Sequence, residues 1–154
     1  MSKKVGKYLA EIQLKQYAFT KLELNMHEEW NDQISEEKIP LRVQFKVGIG
    51  FLDEESELIN DGGIELSCMV NNDEEVKETT PFEILAVMRG EFHAEISQSR
   101  EALSSLLSIN GVAILFPFLR SAIADLSRIG NFPPLLLPII NVHAMMDDNN
   151  GSDE

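Results

Sequence analysis

Between Leu41 and Phe51 every second residue is apolar: Leu41, Val43, Phe45, Val47, Ile49 and Phe51. Arg42, Gln44 and Lys46 fill the positions between them. A period of two is the side-chain repeat of a β-strand with one buried face. Ile64, Leu66, Cys68 and Val70 repeat it after Asp61-Gly62-Gly63, where paired glycines predict a tight turn with positive φ. Phe82 to Ile96 is a third candidate, irregular around Gly90. Another runs roughly from Ile12 to Met26, its alternation slipping near Tyr17 as a bulge would make it. The pattern predicts four antiparallel strands.

The period changes after Ser97. Leu103, Leu106 and Leu107 predict a short helix, stopped at Asn110-Gly111. A second helix is expected from about Pro117, a residue tolerated in a first turn. On it Phe118, Leu119, Ala122, Ile123, Leu126 and Ile129 share one arc, and Arg120, Ser121, Asp125, Ser127 and Arg128 the other. Gly130 is the expected stop. So short a helix needs its apolar arc packed, and the sheet is the available surface. Phe132 to Ile140 holds Pro133, Pro134 and Pro138, which exclude a regular helix and a central strand. That segment is extended and too apolar to lie free in water. The fold class is therefore α+β, a four-stranded antiparallel sheet backed by helices on one face. Residues 1–146 read as a single domain, and 147–154 as an acidic tail of disordered composition.

Charge narrows the partners. The 154 residues carry a net charge of −13, which repels phosphate backbones and argues against nucleic acid. It favours encounter with basic polypeptides. Cys68 is a lone cysteine, so no internal disulfide points to an oxidising compartment. The basic start, Met1 to Lys7, leads into no apolar stretch or cleavage site. The apolar tract Val112 to Leu119 is far short of a bilayer span. A cytoplasmic location without membrane insertion is expected.

Catalytic chemistry finds little support. Gly48-Ile49-Gly50 lies inside a strand pattern with no lysine-bearing helix start behind it. His27, His93 and His143 are far apart and lack metal-ligand spacing. Cys68 falls on the apolar phase of its strand, so a buried structural thiol is expected. Asp53-Glu54-Glu55 and Asp73-Glu74-Glu75 read as solvated turns. No enzyme, cofactor or metal is expected.

One stretch is too particular to follow from packing rules. Asn110-Gly111-Val112-Ala113-Ile114-Leu115-Phe116-Pro117-Phe118-Leu119-Arg120, followed by Gly130-Asn131-Phe132-Pro133-Pro134-Leu135-Leu136-Leu137, resembles the SecB family of chaperones. Asn141 to Met146 falls where that family has its last helix, and Trp30 where it carries a loop tryptophan. The resemblance implies an ATP-independent chaperone, a dimer of dimers, that keeps unfolded clients soluble in hydrophobic grooves. Met26 and Trp30 map to one wall; Phe132, Leu135, Leu137, Ile139, Met145 and Met146 map to the other. Burial in the protein's own core is the competing reading for each of these residues. Arg120, Asp125 and Arg128, on the polar arc, are the expected oligomer contacts.

Two departures bear on partners. Lys21-Leu22-Glu23-Leu24-Asn25 stands where export-type members carry the acidic run that helps dock the SecA motor. The last helix runs into Asp147-Asp148-Asn149-Asn150. Both argue against SecA coupling and the usual tetramer. Since SecB-like proteins also protect antitoxins, the expected client is an export precursor or a dedicated antitoxin. The rival of a different class is an interaction subunit serving one fixed, folded partner.

Overall fold

A computed structural model of the chain describes residues 11–27, 41–72, 80–137 and 142. Four strands, β1 (Ile12–Met26), β2 (Val43–Gly50), β3 (Leu58–Val70) and β4 (Phe82–Ser99), form one antiparallel sheet in the order β1-β4-β3-β2. β1 and β2 are consecutive in sequence yet occupy opposite edges of the sheet. Trp30 belongs to that connection and lies outside the described residues.

The slip predicted near Tyr17 is a real irregularity. β1 shifts register against β4 between Leu14 and Gln16 and again between Phe19 and Lys21, on either side of Tyr17. The turn expected at Asp61-Gly62-Gly63 is not there. These residues lie inside β3, and no glycine in the described residues has positive φ. The glycines answer crowding instead: a Cβ on Gly62 would meet Leu107 Cδ1 at 2.7 Å and the Phe51 ring at 3.1 Å. The β2–β3 connection is built around Asp53, whose Oδ1 accepts hydrogen bonds from the Glu55 and Ser56 amides at 3.0 Å. Hydrogen bonds from the Ser56 hydroxyl and amide, then from Glu55, hold this carboxyl below its ordinary range. Asp53-Glu54-Glu55 is thus a solvated turn; Asp73-Glu74-Glu75 lies outside the described residues. Asn71 adopts φ 56° and locks β2 to β3 by exchanging hydrogen bonds with Arg42 through its amide and side chain.

The helices depart most from expectation. Ser99 caps α1 (Arg100–Leu106), its Oγ accepting from the Ala102 amide at 3.2 Å. A π-helical turn, Leu107–Gly111, then leads without a break into α2 (Val112–Ile129). Asn110-Gly111 is therefore not a stop, and Pro117 lies inside a helix rather than at its start. Gly111 keeps right-handed φ and earns its place by proximity, since a Cβ there would collide with Ile64 Cδ1. Gly90 answers the same approach from the sheet, with Leu115 methyls 2.8 and 2.9 Å from its would-be Cβ. The 30-residue helical run is long and apolar enough to cross a membrane by length and composition alone. Here its buried stripe of Leu103, Leu107, Val112, Leu115, Leu119 and Ile123 joins the core with Ile64, Leu66, Cys68, Met88 and Phe92 of the sheet.

The arcs of α2 are rotated from those expected. Phe118 and Ile129 are exposed, while Ser127 is buried. Ser127 tolerates burial because its hydroxyl donates back to the Ile123 carbonyl at 2.8 Å. The helix ends in a Schellman motif: the Phe132 amide bonds the Ser127 carbonyl and the Asn131 amide the Arg128 carbonyl, both at 3.0 Å. Asn131 supplies the left-handed residue at φ 64°, not Gly130.

Candidate functional site

One helix cannot cover four strands. The core faces of β3 and β4 are buried, whereas the apolar side chains of β1 and β2 on that same face are mostly half-buried or exposed. On the β1 side Tyr17, Leu22 and Met26 are exposed, at 43%, 46% and 46%. Tyr17 stacks on Phe118 of α2 with ring centroids 4.3 Å apart.

The Schellman motif sets the far end of this surface. By turning the chain at Asn131 it aims Phe132 back toward the sheet, where its ring lies 4.7 Å from that of Phe82. Gly130 is what permits the convergence. A Cβ there would meet Leu24 Cδ2 and Met26 Sδ at 3.1 Å and Phe132 Cδ2 at 3.2 Å. Met26 and Phe132, far apart in sequence, therefore meet at one partly exposed patch.

The remaining expected wall residues divide. Leu135 is half-buried against the core, and Leu137, 1% exposed, is a core residue. Leu137 is thereby withdrawn from the surface, because the extended segment alternates and turns that side chain inward. Leu136, not singled out from the sequence, faces out. Ile139, Met145, Met146 and Trp30 lie outside the described residues. Tyr17, Leu22 and Phe118 also belong to the apolar surface. For Tyr17 and Leu22 the signal was the apolar phase of β1 with the bulge beside Tyr17, and Tyr17 meets Phe118 at the helix edge.

Of the three expected contact residues, Asp125 and Arg128 pair with each other on the surface at 3.0 Å. Arg120 turns aside into a groove of about 630 Å³ along α2, walled by Phe116, Ala124, Leu136 and Val142. Among the described residues its buried Nε finds no hydrogen-bond acceptor.

Chemistry elsewhere is sparse. His93 Nδ1 and Lys15 both reach Asp61 Oδ1, at 2.9 and 3.4 Å, and the His93 contact chiefly lowers the Asp61 pKa. His27 Nδ1 lies 2.6 Å from the Thr80 carbonyl. Burial pushes the Cys68 thiol up to about 12, so it is an inert core group. Among the described residues no three His, Cys, Asp or Glu side chains come together as a metal site.

Comparison with known proteins agrees with this architecture. Residues 20–152 match the family described as preprotein translocase subunit SecB. The chain is similar to the protein-export protein SecB of Ehrlichia canis, 28% identical over 121 residues, covering 74% of this chain and 66% of that one. It is also similar to the protein-export protein SecB of Anaplasma marginale, 30% identical over 90 residues, covering 58% and 51%. The chain thus spans about half to two thirds of the length of these curated relatives. Among solved structures, the Mycobacterium tuberculosis SecB-like chaperone Rv1957, in complex with a peptide from the HigA1 antitoxin, superimposes with a TM-score of 0.64. That match covers 85% of this chain and 88% of the other at 17% identity.

Proposed function

The chain belongs to the SecB family, and we propose that it is an ATP-independent chaperone holding unfolded polypeptide segments on the apolar surface beside α2. The observation that carries this reading is the meeting of Met26 and Phe132 at Gly130, with the Met26 side chain still open to solvent. A flexible thioether beside an aromatic ring repacks around many client side chains. Each apolar client side chain fully buried there contributes roughly 1.5–3 kcal/mol. Several shallow contacts along one client then give tight binding without strict sequence demand. Trp30 is proposed as an anchor for clients, and Leu135, Ile139, Met145 and Met146 as further client-binding residues.

The client is an unfolded polypeptide, either an export precursor, as the names of the curated relatives suggest, or an antitoxin, as Rv1957 binds. Lys21 pairs with Glu23 at 3.5 Å on the stretch where export-type members are acidic. SecA is accordingly the weaker partner proposal. We further propose a cytoplasmic homo-oligomer, with the surface pair Asp125 and Arg128 at a subunit contact, and no catalytic role.

Aggregation assays with several unrelated unfolded proteins test the reading. Suppression of most of them, reduced at least tenfold in affinity by Met26→Ser with Phe132→Ser or by Trp30→Ala, is the expected result, since truncating a desolvated aromatic anchor costs about 2 kcal/mol or more. Suppression of none would identify a subunit made for one fixed, folded partner. Variants that melt normally and hold clients as well as wild type would move the site elsewhere.

A further inference from the structure

The groove along α2 is positive on an acidic chain. Arg120 and Arg128 both line it, and Arg128 is matched by Asp125 at 3.0 Å. Arg120 is not matched in that way: its buried Nε has no acceptor among the described residues. A buried donor left unpaired costs stability, which an arriving acceptor restores. A guanidinium is always charged, and its planar donors fit a carboxylate. With a net charge of −13 the chain repels acids in general. This groove is where one can be held.

The shape of the groove bears on what carries that acid. Ala113, Pro117, Arg120, Ala124 and Arg128 recur at helical spacing, so they line one stripe of α2. From Ala113 to Arg128 the stripe is about 22 Å long, a length that an extended chain covers in about seven residues. Leu136, 68% exposed, adds an apolar wall from the segment beyond the helix. A long apolar trough holding one cation fits an extended polypeptide better than a compact small molecule.

We propose that this groove is a specificity site for clients: it takes an extended apolar segment bearing a glutamate or aspartate, and Arg120 binds the carboxylate. The proposal rests on the client-holding reading. It adds a preference for acid-bearing segments, which the apolar patch at Met26 and Phe132 does not supply.

Fluorescence anisotropy on the full chain tests it. The probes are a labelled peptide rich in leucine and phenylalanine with one central glutamate, and its glutamine and lysine counterparts. Wild type should bind the glutamate peptide about tenfold tighter than the glutamine peptide, the scale of one charge-assisted hydrogen bond, and the lysine peptide most weakly. High salt should shrink the difference. Arg120→Gln should erase the preference while leaving affinity for the glutamine peptide unchanged, and Arg120→Glu should turn it toward lysine. Leu136→Ser, at an exposed position, should weaken all three peptides alike. Should the arginine variants fail to fold, the wild-type ranking, its salt dependence and Leu136→Ser decide. Equal affinity of wild type for the glutamate and glutamine peptides would overturn the proposal and leave client holding intact. A preference that survives Arg120→Gln would overturn it too, and sedimentation showing a lost oligomer in that variant would then give the arginine to a subunit contact. Failure of wild type to bind any of the peptides or to suppress aggregation would overturn the client-holding reading itself, and the proposal with it.

Discussion

Tyr17 and Phe118 stack with centroids 4.3 Å apart and planes inclined by 28°, joining the bulged part of β1 to the exposed edge of α2. The two register shifts flanking Tyr17 are what swing its ring to the helix. Alanine at either position should destabilise the fold modestly, because both rings remain partly exposed. A double-mutant cycle by urea denaturation should return a coupling of about 0.5–1.5 kcal/mol. Additive effects would mean that the rings touch without stabilising each other.

The helix crosses the sheet at a distance only glycine allows. Gly111→Ala should therefore cost about 1–3 kcal/mol, since the new methyl must displace the Ile64 side chain or lift the helix. Gly48→Ala is the internal control, with nothing within 4 Å of the added carbon. Its melting temperature should stay near wild type. Similar stability for the two variants would show that the methyl at Gly111 is accommodated without crowding Ile64.

Leu137 and Leu135 should separate under the same substitution. Leu137→Ser removes a core side chain and buries a hydroxyl, at a cost of about 2–5 kcal/mol. Leu135→Ser, half-buried, should cost clearly less. Calorimetry on the two single variants checks the order, and a reversed order would contradict the path of the extended segment.

Asp61 gives a pH signature of known sign. His93 and then Lys15 lower its folded pKa, so the stabilisation is present above the ordinary carboxylate value of about 3.9 and is lost as pH falls through the lower folded value. The groups are about half exposed, and the effect should stay under about 1 kcal/mol. Urea midpoints measured from pH 6 to 3 should fall more steeply in wild type than in Asp61→Asn. Parallel curves would assign the acid sensitivity to other carboxylates.

The strands were legible in the sequence because half-buried faces impose period two, and the slip at Tyr17 exposed even the irregularity of β1. Glycine was the recurrent source of error. Gly62, Gly63 and Gly111 look like turn or stop residues when read locally, yet Gly62 and Gly111 are small because Leu107 and Ile64 lie against them. Such crowding is set by residues remote in sequence and leaves no local mark. Pro117 misled for a related reason: packing across the sheet outweighs one missing hydrogen bond. At the candidate site, Met26 and Phe132 are proposed through the family resemblance, and the structure brings both against Gly130. Leu137 was placed outside because proline-rich backbone says nothing about which side chain points inward. Arg120 is an expected oligomer contact, and its place in a groove along α2 follows from the rotation of the helix, which the sequence pattern does not reveal.

The strand order carries a consequence for synthesis. β2, β3 and β4 follow one another as neighbours, but β1 must wait for β4: Ile12 pairs with Ala94, and Met26 with Phe82. On a ribosome the first strand emerges long before its partner exists. Closing that long loop precedes any reward from pairing, so joining β1 is expected to be the slow step of folding. Through that interval the nascent chain carries a bare strand of its own.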